Sequence, residues 1–383
     1  MVMEPAGRRR TLVGCVLLSG VLGTIHAWSL FLQPLEAHLD VGRGRVSAVY
    51  SVALLAITVA VLVGHRLFPR LPGRGVAMLS AGGGAVGLVV AAGADSWPTL
   101  LVGYGIMFGL ANGLGYAFAI QRSAEVDLGA GGRAMALVTA AYALGAATAG
   151  VGLAGVVDVH GAERGLRVLA LAVGIAGAAS ASLVGGNRSP LPGRPSASTT
   201  GADRHGLLRL WLAYGLAVLA GLTILGHAAA IVDEVGGAGD NAVTTANFAS
   251  AAGGAWVAAA LGRADYRRLI VGLPVATMAL ASVGAMVATA PATAVVVPGV
   301  ALVYGAIISV YPAVVRDRYG PDGYPVAYGR VFTAWGVAGL IGPVGAGTLF
   351  DATGGYRLPL LLAALAAAIS ALVARRESGT RDD

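Results

Sequence analysis

Twelve windows of about 20 apolar residues, each long enough to cross the hydrocarbon core of a bilayer, run through this chain. They lie near residues 11–33, 46–64, 75–94, 97–120, 134–157, 165–185, 207–231, 242–261, 269–289, 293–315, 328–350 and 355–374. Lipid offers no partner for backbone N–H and C=O groups, so runs of this length must be helical. Their charges stand mostly at the ends. With 56% hydrophobic residues, 12% charged ones and a mean hydropathy of +0.76, the chain is too apolar for a soluble globule. The expected fold is an all-α polytopic membrane protein with twelve transmembrane helices in two six-helix pseudo-symmetric halves.

Orientation follows from the arginines, which supply all 26 basic residues. An inside N-terminus leaves only Arg43, Arg45, Arg164, Arg167 and Arg357 on the outer side. That asymmetry obeys the positive-inside rule, with both termini cytoplasmic and the chain in the cell (plasma) membrane. The net charge of +7 is spread over loops, which makes no nucleic-acid face. The single cysteine, Cys15, excludes an internal disulfide and a cysteine-rich metal site, and no metal or other cofactor is expected. Leu12-Val13-Gly14-Cys15 mimics a lipoprotein cleavage box. Only Thr11 to Gly14 separate Arg10 from Cys15, though, where a signal peptide needs about 7–15 apolar residues. Cys15 is therefore read as an ordinary helix residue, and no cleaved signal is expected.

The two halves echo one another. Thr139-Ala140-Ala141-Tyr142 with Gly145 matches Thr333-Ala334-Trp335-Gly336 with Gly339, and Val157-Asp158-Val159-His160-Gly161 matches Phe350-Asp351-Ala352-Thr353-Gly354. Gly20 with His26 likewise corresponds to Gly221 with His227, and Tyr116 to Tyr311. Between the halves, residues 187–206 are rich in proline, serine and glycine and read as a flexible cytoplasmic linker. The expected domains are residues 1–186, the linker, and residues 207–383.

The run Tyr328 to Tyr356 is apolar, glycine-loaded and charged only at its ends, as a helix packed closely against neighbours in lipid must be. Its Tyr328-Gly329, Thr333-Ala334-Trp335-Gly336, Gly342-Pro343 and Asp351-Ala352-Thr353-Gly354-Gly355-Tyr356 resemble the eleventh helix of the oxalate/formate antiporter and monocarboxylate transporter group of the major facilitator superfamily. Gly23 to Leu35 resembles that group's first helix. Tyr311-Pro312 with Arg316-Asp317-Arg318-Tyr319-Gly320 resembles the end of its tenth. The resemblance implies parallel halves, a substrate held at mid-membrane between them, alternating access and a monomer.

Two departures from that pattern carry information. The group places a cation within helix eight and often another within helix eleven, where this chain has Ala255-Trp256-Val257-Ala258 and Trp335. Two negative charges at mid-membrane without such compensation would cost several kcal/mol, which disfavours a dicarboxylate. The loop Gly64 to Arg74 stands where the superfamily keeps a glycine, aspartate and arginine gating motif, and Phe68 takes the aspartate's place.

Candidate site residues fall into three sets. Ser19, His26, Ser29 and Gln33 share one face of the first helix, and such a polar stripe should face the bundle interior or a watery cavity. His26 and its repeat partner His227 are candidates for carrying a proton; the plain alternative is a hydrogen bond to a neighbouring carbonyl. The aromatic residues Trp28, Tyr116, Tyr142, Tyr304, Tyr311 and Trp335 suit the walls of a site for a small organic solute, with packing as the alternative. At the inner ends, Arg122 and Arg316 stand near Glu125, Asp127 and Asp317, and Asp265 precedes Arg267 and Arg268. These charges suit anion attraction or gating, or lie at the interface as ordinary inside charges.

The function expected is secondary active transport of a small organic solute, with a monocarboxylate as the substrate that the resemblance implies and proton coupling or exchange as the energy source. Efflux of an amphiphilic metabolite or drug is the alternative within transport. A transport-inactive membrane sensor is the alternative of another class, and the short stretch after Ala374 disfavours it. An enzyme is not expected: no intramembrane aspartate pair, His-Glu metal motif or serine nucleophile constellation is present, and Gly82-Gly83-Gly84 lacks the lysine of a phosphate loop.

Overall fold

The computed structural model describes residues 5–41, 43–126, 132–187, 204–237, 239–261 and 265–379. Most of the expected linker at 187–206, together with Asp127, lies outside the described residues. Helix is the only extended secondary structure among the described residues. Eight helices are long and apolar enough to cross a membrane, and two of these are of double length. Each double helix contains one residue with non-helical backbone: Gly161, at φ 79° and ψ 174°, and Gly320, at φ 67° and ψ 172°. Only glycine adopts that conformation readily, so these two residues are where the chain turns back.

Dividing the double helices there yields ten spans, and the helices Arg43–Gly64 and Gly239–Ala260 bring the number to twelve among the described residues. They are α1 (Pro5–Gly23, continued by a 3-10 turn at Thr24–Ala27 and by Ser29–Leu39), α2 (Arg43–Gly64), α3 (Gly73–Ala92) and α4 (Trp97–Val126). Next come α5 and α6, the arms of Arg133–Val184 on either side of Gly161, and then α7 (Arg204–Leu225, continued by Ala228–Glu234) and α8 (Gly239–Ala260). The last are α9 (Tyr266–Met286), α10 and α11 as the arms of Ala290–Thr353 about Gly320, and α12 (Arg357–Gly379). The protein is a multi-pass, all-helical membrane protein.

The chain forms two compact units, one of residues 1–128 and 141–192, the other of residues 129–140 and 193–383. Each is held by the same devices. In the first, Ser180 on α6 donates its hydroxyl to the Gly14 carbonyl on α1 at 2.8 Å; in the second, Ser370 on α12 donates to the Ala213 carbonyl on α7 at 2.7 Å. Lipid tails are as apolar as leucine, so helices in a bilayer associate through close packing and such polar bonds.

Close packing shows best along α4. Gly105, Gly109 and Gly113 recur every four residues, so they form one stripe, and that stripe lies on the α2 backbone at Val49, Ala53 and Ile57. A Cβ on Gly109 would stand 2.8 Å from the Ala53 carbonyl oxygen, and one on Gly113 would stand 2.7 Å from the Ile57 Cα. The second unit repeats the arrangement with Gly253 on α8 against Leu302 and Gly305 on α10 against Ser250. Gly113→Val is therefore expected to destabilise the first unit by about 1–3 kcal/mol or more through overpacking. Its melting temperature in detergent should fall well below that of Gly82→Val, since a Cβ at Gly82 meets nothing within 4 Å.

Candidate functional site

In the first unit the site is built where two helices leave regular geometry. Around His26, α1 tightens into a 3-10 turn, and α4 passes through a π-helical stretch at Leu101–Phe108. Irregular turns of this kind inside helices mark hinges and functional sites. Local chemistry favours the break in α1. The Thr24 hydroxyl bonds back to the Val21 carbonyl at 2.6 Å, and Gly23 lies flat on the backbone of Tyr142.

Polar side chains of α4 tie the break in place. The Asn112 amide donates to the Leu22 carbonyl at 2.5 Å, and the Tyr104 hydroxyl donates to the Ile25 carbonyl at 2.8 Å. On its other side Asn112 Oδ1 accepts the Tyr142 hydroxyl at 2.8 Å. Asn112 thus links α1, α4 and α5 while fully buried. His26 Nδ1 and the Tyr50 hydroxyl of α2 share a hydrogen bond of 2.5 Å, and the imidazole meets the Tyr142 ring edge-on at a centroid distance of 5.4 Å. Tyr116 lies against the same Tyr142 ring at 4.9 Å. Trp28 lies parallel to Tyr50 at 6.2 Å and packs against Tyr104, tilted, at 4.5 Å.

The first unit therefore brings His26, Trp28, Tyr116 and Tyr142 into one cluster. The side chains of Ser29 and Gln33 lie outside those described. Sequence reasoning missed Tyr50, Tyr104 and Asn112. Asn112 carried a usable signal: it is a lone amide in the apolar run Gly109 to Ala119, where an unpaired amide would be costly.

In the second unit the Trp335 indole of α11 donates to the Tyr304 hydroxyl of α10 at 2.9 Å. Trp335 also ends an aromatic ladder along one face of α11. Tyr324 stacks on Tyr328 at 5.3 Å, Tyr328 meets Phe332 at 5.8 Å, and Phe332 stacks on Trp335 at 5.2 Å. Tyr311 lies apart from this pair, fully buried against Tyr214 at 4.6 Å. His227 is placed elsewhere again, in the turn between the two segments of α7, where it stands just before Ala228. Its Nε2 meets the Pro343 carbonyl at 2.8 Å, and its Nδ1 meets the Tyr356 hydroxyl at 3.0 Å. A carbonyl only accepts, so Nε2 donates its proton to Pro343.

At the ends of α4, α9 and α10 the charges pair locally. Arg122, 4% exposed, bonds Glu125 one turn further along α4 at 2.5 Å. The Asp317 carboxylate accepts the Tyr266 hydroxyl, and Asp265 caps α9 by accepting the Arg267 N–H at 2.9 Å. Arg316 stands on α10 next to Asp317. Phe68, at the place of a gating aspartate, is buried under Gly64 and meets Phe118 at 5.7 Å. An aromatic contact to α4 thus stands where the superfamily's gating motif would place an ionic one. Arg133, not singled out from sequence, donates through Nε to the Leu261 carbonyl at 2.5 Å, satisfying a carbonyl just past the end of α8.

Twelve helices in two halves, with glycine-packed helices and discontinuous first and seventh spans, constitute the major facilitator superfamily transporter fold. Solved structures bear this out. The chain resembles FucP, the fucose:proton symporter of Escherichia coli, in its outward conformation, with a TM-score of 0.75, 15% identity and coverage of 96% of this chain and 98% of that one. It resembles the human organic anion transporter MFSD10 (TETRAN) with a TM-score of 0.76, 16% identity and coverage of 97% and 100%. The proton:xylose symporter XylE gives a TM-score of 0.74 at 12% identity, covering 97% of this chain and 95% of that one. In sequence, the chain is 27% identical over 147 residues to the uncharacterized MFS-type transporter YhjX of Escherichia coli (strain K12). That match spans 37% of this chain and 37% of that protein. No family model matches the sequence.

Proposed function

We propose that the protein is a secondary active transporter that moves a small organic solute by alternating access, coupled to protons or to exchange. The observation that carries this reading is the break in α1, where a histidine stands among tyrosines and a tryptophan inside a membrane span. An ionisable group placed there is costly unless it serves a solute or proton path. Two of the similar structures are proton symporters by name, which accords with His26 as the proton carrier. His227, held on both ring nitrogens, is assigned the lesser part.

A monocarboxylate is the proposed substrate, in keeping with the group that the eleventh helix resembles and with the lack of a cation in α8. Residues 1–186 and 207–383 form the two halves, joined by a cytoplasmic linker at 187–206. The protein is assigned to the plasma membrane as a monomer with both termini cytoplasmic. Arg122, Arg316, Asp317 and Asp265 act at the inner ends in gating or anion attraction. Ser29, Gln33, Tyr116, Tyr142, Tyr304 and Tyr311 complete the substrate-binding set with His26, Trp28 and Trp335.

Uptake of a panel of radiolabelled monocarboxylates into proteoliposomes tests this reading. Trp335→Ala is expected to lower uptake about tenfold or more, since it removes both the ladder's end and the bond to Tyr304. Trp335→Phe, which keeps the stack, should lose less. Wild-type kinetics in Trp335→Ala, with normal insertion, would remove Trp335 from the transport path. The aromatic ladder on α11 favours a second reading, efflux of an amphiphilic compound. Resistance of expressing cells to lipophilic compounds, with no uptake of any monocarboxylate, would select it.

A further inference from the structure

Trp28 is 5% exposed, yet its indole Nε1 has no hydrogen-bond partner among the described residues. Burying an unmatched N–H costs about 1–3 kcal/mol, so such a group in a native fold calls for a reason. The ring cannot easily turn to find a partner, because Tyr50 lies parallel to one face and Tyr104 packs against it at 4.5 Å. Tyr104 is itself anchored by its bond to Ile25, and Tyr50 by its bond to His26. The donor is therefore held in one direction before any ligand arrives, and a fixed donor loses little entropy on binding.

The surroundings limit what it binds. In sequence no arginine lies between Arg10 and Arg43, between Arg74 and Arg122, or between Arg133 and Arg164, and the chain has no lysine. The middle stretches of α1 to α5 therefore offer no permanent cation, only neutral donors and the imidazole of His26. A neutral N–H meets an oxygen acceptor well, but it cannot compensate two negative charges at this depth.

Building on the transporter reading above, we propose that Trp28 reads the polar head of the solute, donating its indole N–H to an oxygen acceptor on a compound that carries at most one negative charge. That class comprises carboxylates with one acidic group and neutral carbonyl compounds. Trp28 is then a specificity-determining residue, and its aromatic contacts are the positioning device.

The test uses the purified full-length protein with its tryptophans labelled with nitrogen-15, which yields five indole N–H signals. The signal absent in Trp28→Phe identifies Trp28. Acetate, pyruvate and benzoate, their carboxamides, and oxalate are titrated in turn. The expected result is a saturable shift of the Trp28 signal with members of the first two sets and none with oxalate. Binding to Trp28→Phe should be weaker by about tenfold to a hundredfold, as for a lost bond to a charged or strongly polar acceptor. A shift with carboxylates alone assigns a charged head, and an equal shift with carboxamides assigns a carbonyl. Because the titration is read on the wild type, a variant that folds poorly does not spoil it. If compounds are transported but leave the Trp28 signal unmoved, or bind Trp28→Phe as tightly as the wild type, the donor role is wrong and the transporter reading stands. If no acceptor-bearing compound is bound or transported, the donor role and the small-acid substrate fall together.

Discussion

Asn112→Leu is expected to lower transport by at least about tenfold while the protein still folds and inserts, the equivalent of about 1.4 kcal/mol or more in the rate-limiting step. Leucine has asparagine's branching and the same number of side-chain heavy atoms, which makes it the nearest apolar replacement in shape. What is lost is the amide that bonds Leu22 on one side and Tyr142 on the other. Hydrogen bonds between membrane helices average about 0.6 kcal/mol, so stability should fall only modestly. Function should suffer more, because Asn112 fixes the α1 break beside His26 and the Tyr142 ring against it. A displacement of about 1 Å at such a site can cost two orders of magnitude. The measurement pairs uptake in proteoliposomes with thermal unfolding in detergent. Equal transport by the variant and the wild type would mean that the network only braces the fold. Tyr142→Phe removes one of the two bonds and should fall in between.

His26→Gln is expected to flatten the pH dependence of transport. If the solute enters with a proton, wild-type uptake rises as the pH on the side of entry falls. Glutamine keeps a polar group of similar reach towards Tyr50 but takes up no proton in this range. Among the groups that face the imidazole are the Tyr50 hydroxyl from α2 and the Tyr142 ring from α5. Rates must be compared at matched concentrations of undissociated acid, because the free acid also protonates. An unaltered profile in His26→Gln would transfer proton coupling to another group, and Glu125, paired with Arg122, would be the next to test. His227→Gln should change the profile less. Its imidazole bridges Pro343 and Tyr356, so its loss should show chiefly as lower stability.

The order of spans was legible in the sequence, as was the doubling of the chain. Hydrocarbon thickness sets a length of about 20 apolar residues for every crossing, and that rule acts on each window separately. Glycines gave the tight helix pairs, and positive-φ glycines gave turns, again through local constraints. Sequence also singled out His26, Trp28, Tyr142, Tyr304 and Trp335, because polar or amphipathic groups within apolar spans are rare. What the sequence could not supply is which of these groups meet. Trp335 finds Tyr304 across 31 positions, Tyr104 reaches Ile25 across 79, and Asn112 reaches Leu22 across 90. Those pairings depend on helix rotation, and a π-helical stretch or a 3-10 turn re-aims every side chain beyond it. Apolar periodicity is blind to such irregularities. Tertiary structure alone therefore decided that Tyr50 faces His26, that Tyr311 packs on Tyr214, and that the Trp28 indole is left with a donor to offer.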